Sequence, residues 1–342
     1  MSHHPAPAAD CLFRTDAELP LPALVAARRH AGGCACPLHA RRRVMGGLAG
    51  ASAGLALGGA AMWPALAQAR EGVDVGPRSK AADLVPADQI ERAASQQYGQ
   101  LVQQARAKNA LALSGHPQLV RLNYIAERIR PFCNEWNPRA QGWRWEVNLL
   151  GSKELNAFCM PGGKIAFYWG ILTQLQLNDD EVAMIMGHET AHALREHARE
   201  RMGKQSLTQL GIGLGAAILG LGSAGRQLAD MGGQLLTLKY SRDDETEADL
   251  VGLELAARAG YDPGAGLTLW QKMEEASKGA PPQFLSTHPS SPTRMRTIEQ
   301  NLPKVQPLFE RAPKPERRFG PPGVPAGAAS GAAAGTGRAN GG

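Results

Sequence analysis

His188-Glu189-Thr190-Ala191-His192 is the stretch on which the reading of this chain turns. Two histidines four residues apart on a helix project from one face, one turn apart. Their imidazole nitrogens can then reach a single zinc ion at about 2.0–2.1 Å. Glu189 is rotated roughly 100° from His188 about the helix axis, so it faces the neighbourhood of the ion and not the ion itself. Two ligands, a carboxylate base and an open coordination position are what metal-assisted hydrolysis of a peptide bond requires. The plain alternative is a surface histidine pair on an amphipathic helix, so the surroundings matter.

Those surroundings are helical. Asp180 and Glu181 place acid at the positive end of the helix. Val182, Ile185, Met186, Ala193 and Leu194 recur at three and four residues, which predicts a helix from about Asp179 to Met202. A third protein ligand is needed, and Ser241-Arg242-Asp243-Asp244-Glu245-Thr246-Glu247-Ala248-Asp249 offers one at the start of a second helix. Glu245 and Asp249 are four apart and share a face; Glu247 points elsewhere. This suggests that Glu245 binds zinc while Asp249 accepts the free N–H of a ligating histidine. An acidic first turn that merely satisfies the helix dipole is the competing reading.

With these two stretches the chain resembles the HtpX/CAAX-prenyl-endopeptidase family of zinc metallopeptidases, in its periplasmic BepA/LoiP-type branch. Two further stretches carry the resemblance: Asn156-Ala157-Phe158-Cys159-Met160-Pro161-Gly162-Gly163 and Leu285-Ser286-Thr287-His288-Pro289-Ser290-Ser291-Pro292-Thr293-Arg294. Gly260-Tyr261-Asp262-Pro263 also fits. The resemblance implies one Zn2+ per chain held by His188, His192 and Glu245, with Glu189 as catalytic base. It implies a gluzincin-type domain and, as substrates, misfolded or unassembled proteins of the cell envelope. His288 has two roles open to it: stabilising the developing oxyanion, or closing onto zinc as an inhibitory fourth ligand. Arg294 could orient the same loop or bind a substrate carboxylate, and a solvated helix charge is its plain reading.

Five of the nine histidines lie beyond residue 69: His116, His188, His192, His197 and His288. His116, before Pro117, reads as a loop residue. His197 is expected to be partly exposed, because five residues of helix turn it about 500°, well off the His192 face.

The substrate platform is expected from three short strands. Trp143–Leu150 alternates, and Asn156–Phe158 and Lys164–Trp169 flank a Pro161-Gly162-Gly163 turn. An exposed edge beside the zinc helix could take an extended peptide by backbone pairing, with Gly162, Gly163, Lys164, Ile165 and Ala166 at the binding strand. A plain structural hairpin is the alternative. The expected fold is α+β and mainly helical, with a small sheet.

Residues 1–69 read as a leader. Arg41-Arg42-Arg43 precede an uncharged Ala/Gly/Leu stretch from Val44 to Trp63, and Ala65-Leu66-Ala67-Gln68-Ala69 supplies small residues for cleavage. The n-region is long, and the paired arginines allow twin-arginine export to the periplasm. An uncleaved membrane anchor is the alternative, and peripheral membrane association stays open. Six arginines and three acids leave with this segment, so the remainder carries 31 basic against 28 acidic residues. That balance gives no footprint for nucleic acid. About 270 residues are enough for one sizeable core. A peptidase domain is expected over 70–303, opening with helices at Ala87–Ala107 and Gln118–Arg130, and a Pro/Ala/Gly-rich disordered tail over 304–342. Leu207–Leu221, glycine-rich and uncharged, is expected to form a lid or plug near the cleft. Cys133 and Cys159 remain as an even pair, readable as a disulfide in an oxidising compartment or as two buried thiols. A rival of another class is a zinc-containing holdase that binds unfolded chains and cleaves little.

Overall fold

A computed structural model describes residues 70–218, 235, 239–278, 283–288 and 291–323. Every element of secondary structure among them belongs to the compact unit that resumes at Gly72. Residues 1–69, where a leader is expected, and residues 324–342 lie outside the described residues.

The architecture is mainly helical with one three-stranded sheet. Helix α1 (Ala87–Ala107) buries Ile90, Ala94, Tyr98, Leu101 and Ala105. This three-and-four spacing makes one apolar stripe, and it packs on the sheet, where the Tyr98 hydroxyl donates to the Ile165 carbonyl. Helix α2 (Pro117–Ile129) buries Leu119, Leu122, Ile125 and Ile129. His116, expected in a loop, is its N-cap: Nδ1 accepts from the Gln118 N–H at 3.2 Å.

The strands are β1 (Glu146–Leu150), β2 (Ala157–Met160) and β3 (Lys164–Tyr168). Their order is β1-β3-β2, with β1 parallel and β2 antiparallel to β3. Gly162 and Gly163 turn the chain between β2 and β3 at φ 86° and 74°, a region that only glycine enters freely. Trp143 and Trp145 fall short of β1. Their indoles are spent on Glu91 and on the Ala140 carbonyl.

A short helix, α3 (Trp169–Gln174), leads into α4 (Asp179–Leu194), the His188–His192 helix. Asn178 and Glu181 form a reciprocal capping box at the start of α4, each side chain accepting from the other's N–H at 2.9 Å. Ser241 and Asp244 do the same for α6 (Arg242–Arg258). Helices α4 and α6 cross at two glycines: a Cβ on Gly187 would lie 2.7 Å from the Gly252 carbonyl oxygen. This contact sets His188 and His192 against Glu245 and Asp249.

The predicted helix 179–202 is interrupted. Glu196 takes a left-handed φ of 62°, α4 ends at Leu194, and a separate helix, α5 (His197–Ile218), begins after two intervening residues. No glycine or proline marks this break. Arg199 and Arg78 hold the Glu196 carboxylate there. The expected lid overlaps the end of α5. Its side chains past Thr208, and residues 219–221, lie outside the described residues.

After α7 (Ala265–Ala276) and the short α8 (Gln283–Thr287), helix α9 runs from Pro292 to Arg311. The expectation of disorder from residue 304 is therefore corrected as far as residue 323. Pro303 and Pro307 sit inside the helix, each lacking a donor, yet Val305 and Leu308 bury against the core. Residues to Gly323 continue as an ordered strap. The Phe319 and Gly320 N–H groups donate to Asp179 at 2.8 and 3.1 Å, beside the buried Arg121–Asp179 ion pair. Among the described residues no helix is long and apolar enough to cross a membrane.

Candidate metal centre

His188, His192, Glu245 and His288 bring one donor atom each to a common point, all within 4.8 Å of one another. They come from α4, α6 and the end of α8, and none is more than 4% exposed. His188 Nε2 lies 3.2 Å from both His192 Nε2 and His288 Nδ1. Glu245 Oε1 lies 3.0 Å from His288 Nδ1 and 3.5 Å from His192 Nε2. Zinc bonds of about 2.1 Å in a tetrahedron place donors about 3.4 Å apart, so these spacings fit the ion. The chemistry fits as well: three nitrogen lone pairs and a carboxylate turned inward repel one another unless a cation or shared protons lie between them.

The surroundings orient the donors. His188 Nδ1 meets Asp249 Oδ1 at 3.0 Å, the carboxylate partner expected from the shared face of Glu245 and Asp249. Burial opposes the charge of Asp249, but Arg294 and the His188 N–H hold its carboxyl down at about 2. Burial pushes the Glu189 carboxyl up, with His288 and His188 opposing. Glu189 Oε1 is buried and has no hydrogen-bond partner among the described residues. It stands 3.6 Å from His288 Nε2. Tyr240 stacks on His192, with ring centroids 3.9 Å apart and planes inclined by 21°. Phe284 stacks on His288 at 4.7 Å.

Several expected roles are corrected. Arg294 is 4% exposed and turned inward. Its Nε and Nη2 donate to Asp249 at 2.7 Å, its Nη1 lies 2.8 Å from Glu245, and its guanidinium covers Trp270 at 4.0 Å. It is therefore not placed to bind a substrate carboxylate. Lys164, Ile165 and Ala166 belong to the central strand, paired on both sides and buried, so they offer no edge. Gly162 lines another cavity, with Asp88, Glu91 and Trp143, and Gly163 is pressed against Trp145. The edge that flanks α4 is β2: residues 156–161 line a cavity together with Glu189, Tyr240 and His288. Cys133 and Cys159 are buried free thiols and not a disulfide.

His197 is the largest departure. Expected to be partly exposed, it is 1% exposed and its Nδ1 lies 2.9 Å from His192 Nδ1. Burial pushes it down to about 3. The left-handed Glu196 that delivers it has no signature in the sequence. Tyr240, just before the capping Ser241, is equally unmarked.

The chain is similar in sequence to proteins named as metalloendopeptidases or proteases. The chain is 36% identical over 196 residues to the mitochondrial metalloendopeptidase OMA1 of Schizosaccharomyces pombe, covering 56% of each chain. It is 37% identical over 164 residues to the Arabidopsis thaliana protein of the same name, covering 47% of this chain and 32% of the relative. It is 28% identical over 171 residues to the beta-barrel assembly-enhancing protease of Escherichia coli, covering 47% of this chain and 35% of the relative. The matched region thus spans between about a third and just over half of these relatives' own lengths. The sequence pattern of Peptidase family M48 matches residues 118–302, from within the first turn of α2 to the middle of α9 and so across every donor described above; the chain belongs to that family.

Proposed function

We propose that the protein is a zinc-dependent endopeptidase acting on misfolded or unassembled cell-envelope proteins. The observation that carries this reading is the convergence of His188, His192, Glu245 and His288 beside a buried, unpartnered Glu189 oxygen. Three imidazoles and one carboxylate suit zinc. When bound, zinc supplies Lewis acidity that polarises the scissile carbonyl and lets water attack near neutral pH.

The chain's own residues do the rest. His188, His192 and Glu245 would hold the ion, with Asp249 fixing the ring of His188. Glu189 Oε1 accepts the proton of the attacking water and returns it to the leaving amine. The β2 edge pairs with the extended substrate backbone, which reads conformation more than side chains. His288, as arranged here, sits among the donors. This supports a closed resting state in which His288 would hold the ion together with the other three donors.

Export and envelope substrates rest on the leader pattern of residues 41–69; the name of the Escherichia coli relative speaks of beta-barrel assembly and those of the more similar relatives of mitochondria. A zinc-containing holdase is less well supported. Glu189 stands beside the donors as a carboxylate base, and a protein that only binds has no use for one.

The test is Glu189→Gln in the full chain with zinc and unfolded casein. Cleavage should fall about 10²–10⁴-fold while zinc content is unchanged. Equal rates for the variant and the wild type would rule the reading out. Substrates trapped by the inactive variant in the envelope fraction would identify the natural chains.

A further inference from the structure

We propose that His197 is a positioning residue for the metal centre: its Nδ1 accepts the Nδ1 proton of His192 and so aims the His192 Nε2 lone pair at the other donors. This rests on the reading of His192 as a metal ligand. In an unbroken helix, His197 would stand about 140° away from His192. The left-handed turn at Glu196 instead interrupts the helix and changes its phase, so that the two rings meet edge to face with centroids 5.0 Å apart and planes inclined by 75°.

Proton placement follows from the contacts. Two ring nitrogens 2.9 Å apart need one proton between them. His192 Nε2 faces His188 and Glu245 at 3.2 and 3.5 Å, so its lone pair points inward and its proton sits on Nδ1. His197 Nδ1 is then the acceptor, and the His197 proton moves to Nε2. That atom lies 3.4 Å from Glu247 Oε2, an ion-pair distance without hydrogen-bond alignment. Glu247 is in turn paired with Arg195 at the helix break. Helix α6 therefore supplies both Glu245 to the centre and Glu247 to the support of His192.

Two restraints at right angles hold the His192 ring. Tyr240 stacks on its face and fixes the plane, while His197 fixes rotation within that plane. Ligating imidazoles usually donate to a carboxylate, a carbonyl or water, as His188 does to Asp249. Glu189, Glu245 and Asp249 already place three buried carboxyl groups here. A neutral imidazole orients His192 without adding a fourth.

The experiment compares full-length wild type, His197→Phe and His197→Asn. Phe fills the space but accepts nothing; Asn places Oδ1 near the Nδ1 position. Zinc affinity is measured by competition with a chromophoric chelator, and each metal-free protein is melted in parallel. The expected result is a loss of about 10–100-fold for His197→Phe and near wild-type affinity for His197→Asn. The cobalt(II) absorption spectra of wild type and His197→Asn should superpose, with that of His197→Phe displaced. Wild-type affinity in His197→Phe would overturn the inference alone. So would equal losses in both variants that track lowered metal-free melting, because packing would then explain them. A wild-type protein that takes up no zinc would overturn both the inference and the proposed function.

Discussion

Arg294 and Asp249 form a bidentate buried pair, Nε to Oδ2 and Nη2 to Oδ1, both at 2.7 Å. The third guanidinium nitrogen lies 2.8 Å from Glu245. One side chain on α9 thus ties together the carboxylate that faces His188 and the carboxylate that faces the other donors.

Removing that guanidinium leaves two buried carboxylates without their cation. Arg294→Met should destabilise the protein by about 3–5 kcal/mol, because an unpaired buried charge costs more than the pair gains. Arg294→Lys should recover only part of this, since an ammonium cannot make the planar two-point contact. Urea denaturation of both variants checks the order; equal stability of wild type and Arg294→Met would contradict it.

Gly252 is a second point of control. Alanine in a helix interior normally gains about 1 kcal/mol over glycine. Here its Cβ would lie 2.6 Å from the His188 backbone nitrogen and 2.9 Å from the Gly187 carbonyl carbon. Backbone atoms cannot turn aside, so α4 and α6 must separate. Overpacking costs about 1–3 kcal/mol and should outweigh the propensity gain. Gly252→Ala should melt lower and bind zinc more weakly; a rise in melting temperature would refute the close approach.

The strap of residues 312–323 should be held through Asp179. Asp179→Asn weakens the anchor of Phe319 and Gly320 and leaves Arg121, fully buried, without its anion. A loss of about 3–5 kcal/mol is expected. Amide exchange at 319–320 should accelerate first. Unchanged exchange there would show that the strap is held by other contacts.

The two thiols give a pH-dependent test. Burial pushes Cys133 up to about 12 and Cys159 well above its ordinary value. The thiolate is the reacting form, so native-state alkylation should stay slow through about pH 9 and quicken only as the pH approaches the raised value. Unfolding without reductant should make both cysteines alkylate at once. A recovered Cys133–Cys159 linked peptide would overturn the free-thiol assignment.

How much is legible in the chain depends on the range of the interaction. The His188–His192 helix, its acidic start, the Glu245–Asp249 face and the three strands can all be read from residue spacing. Helical and strand periods are local, and a cap lies within three residues of what it caps. The helix end at Leu194 cannot be read, because Glu196 adopts its left-handed backbone under the hold of Arg78 and Arg199. Nor can the passage of α9 through Pro303 and Pro307, where burial of Val305 and Leu308 outweighs the missing donors.

By itself the sequence determined which residues could serve as donors and base, and on which face of which helix each would stand. Tertiary structure alone decided that β3 lies inside the sheet and β2 at its edge, that Arg294 turns inward, and that His197 returns to His192. Those outcomes depend on which backbone edges and buried charges meet across the fold, and such pairings are set by three-dimensional packing that no local periodicity encodes.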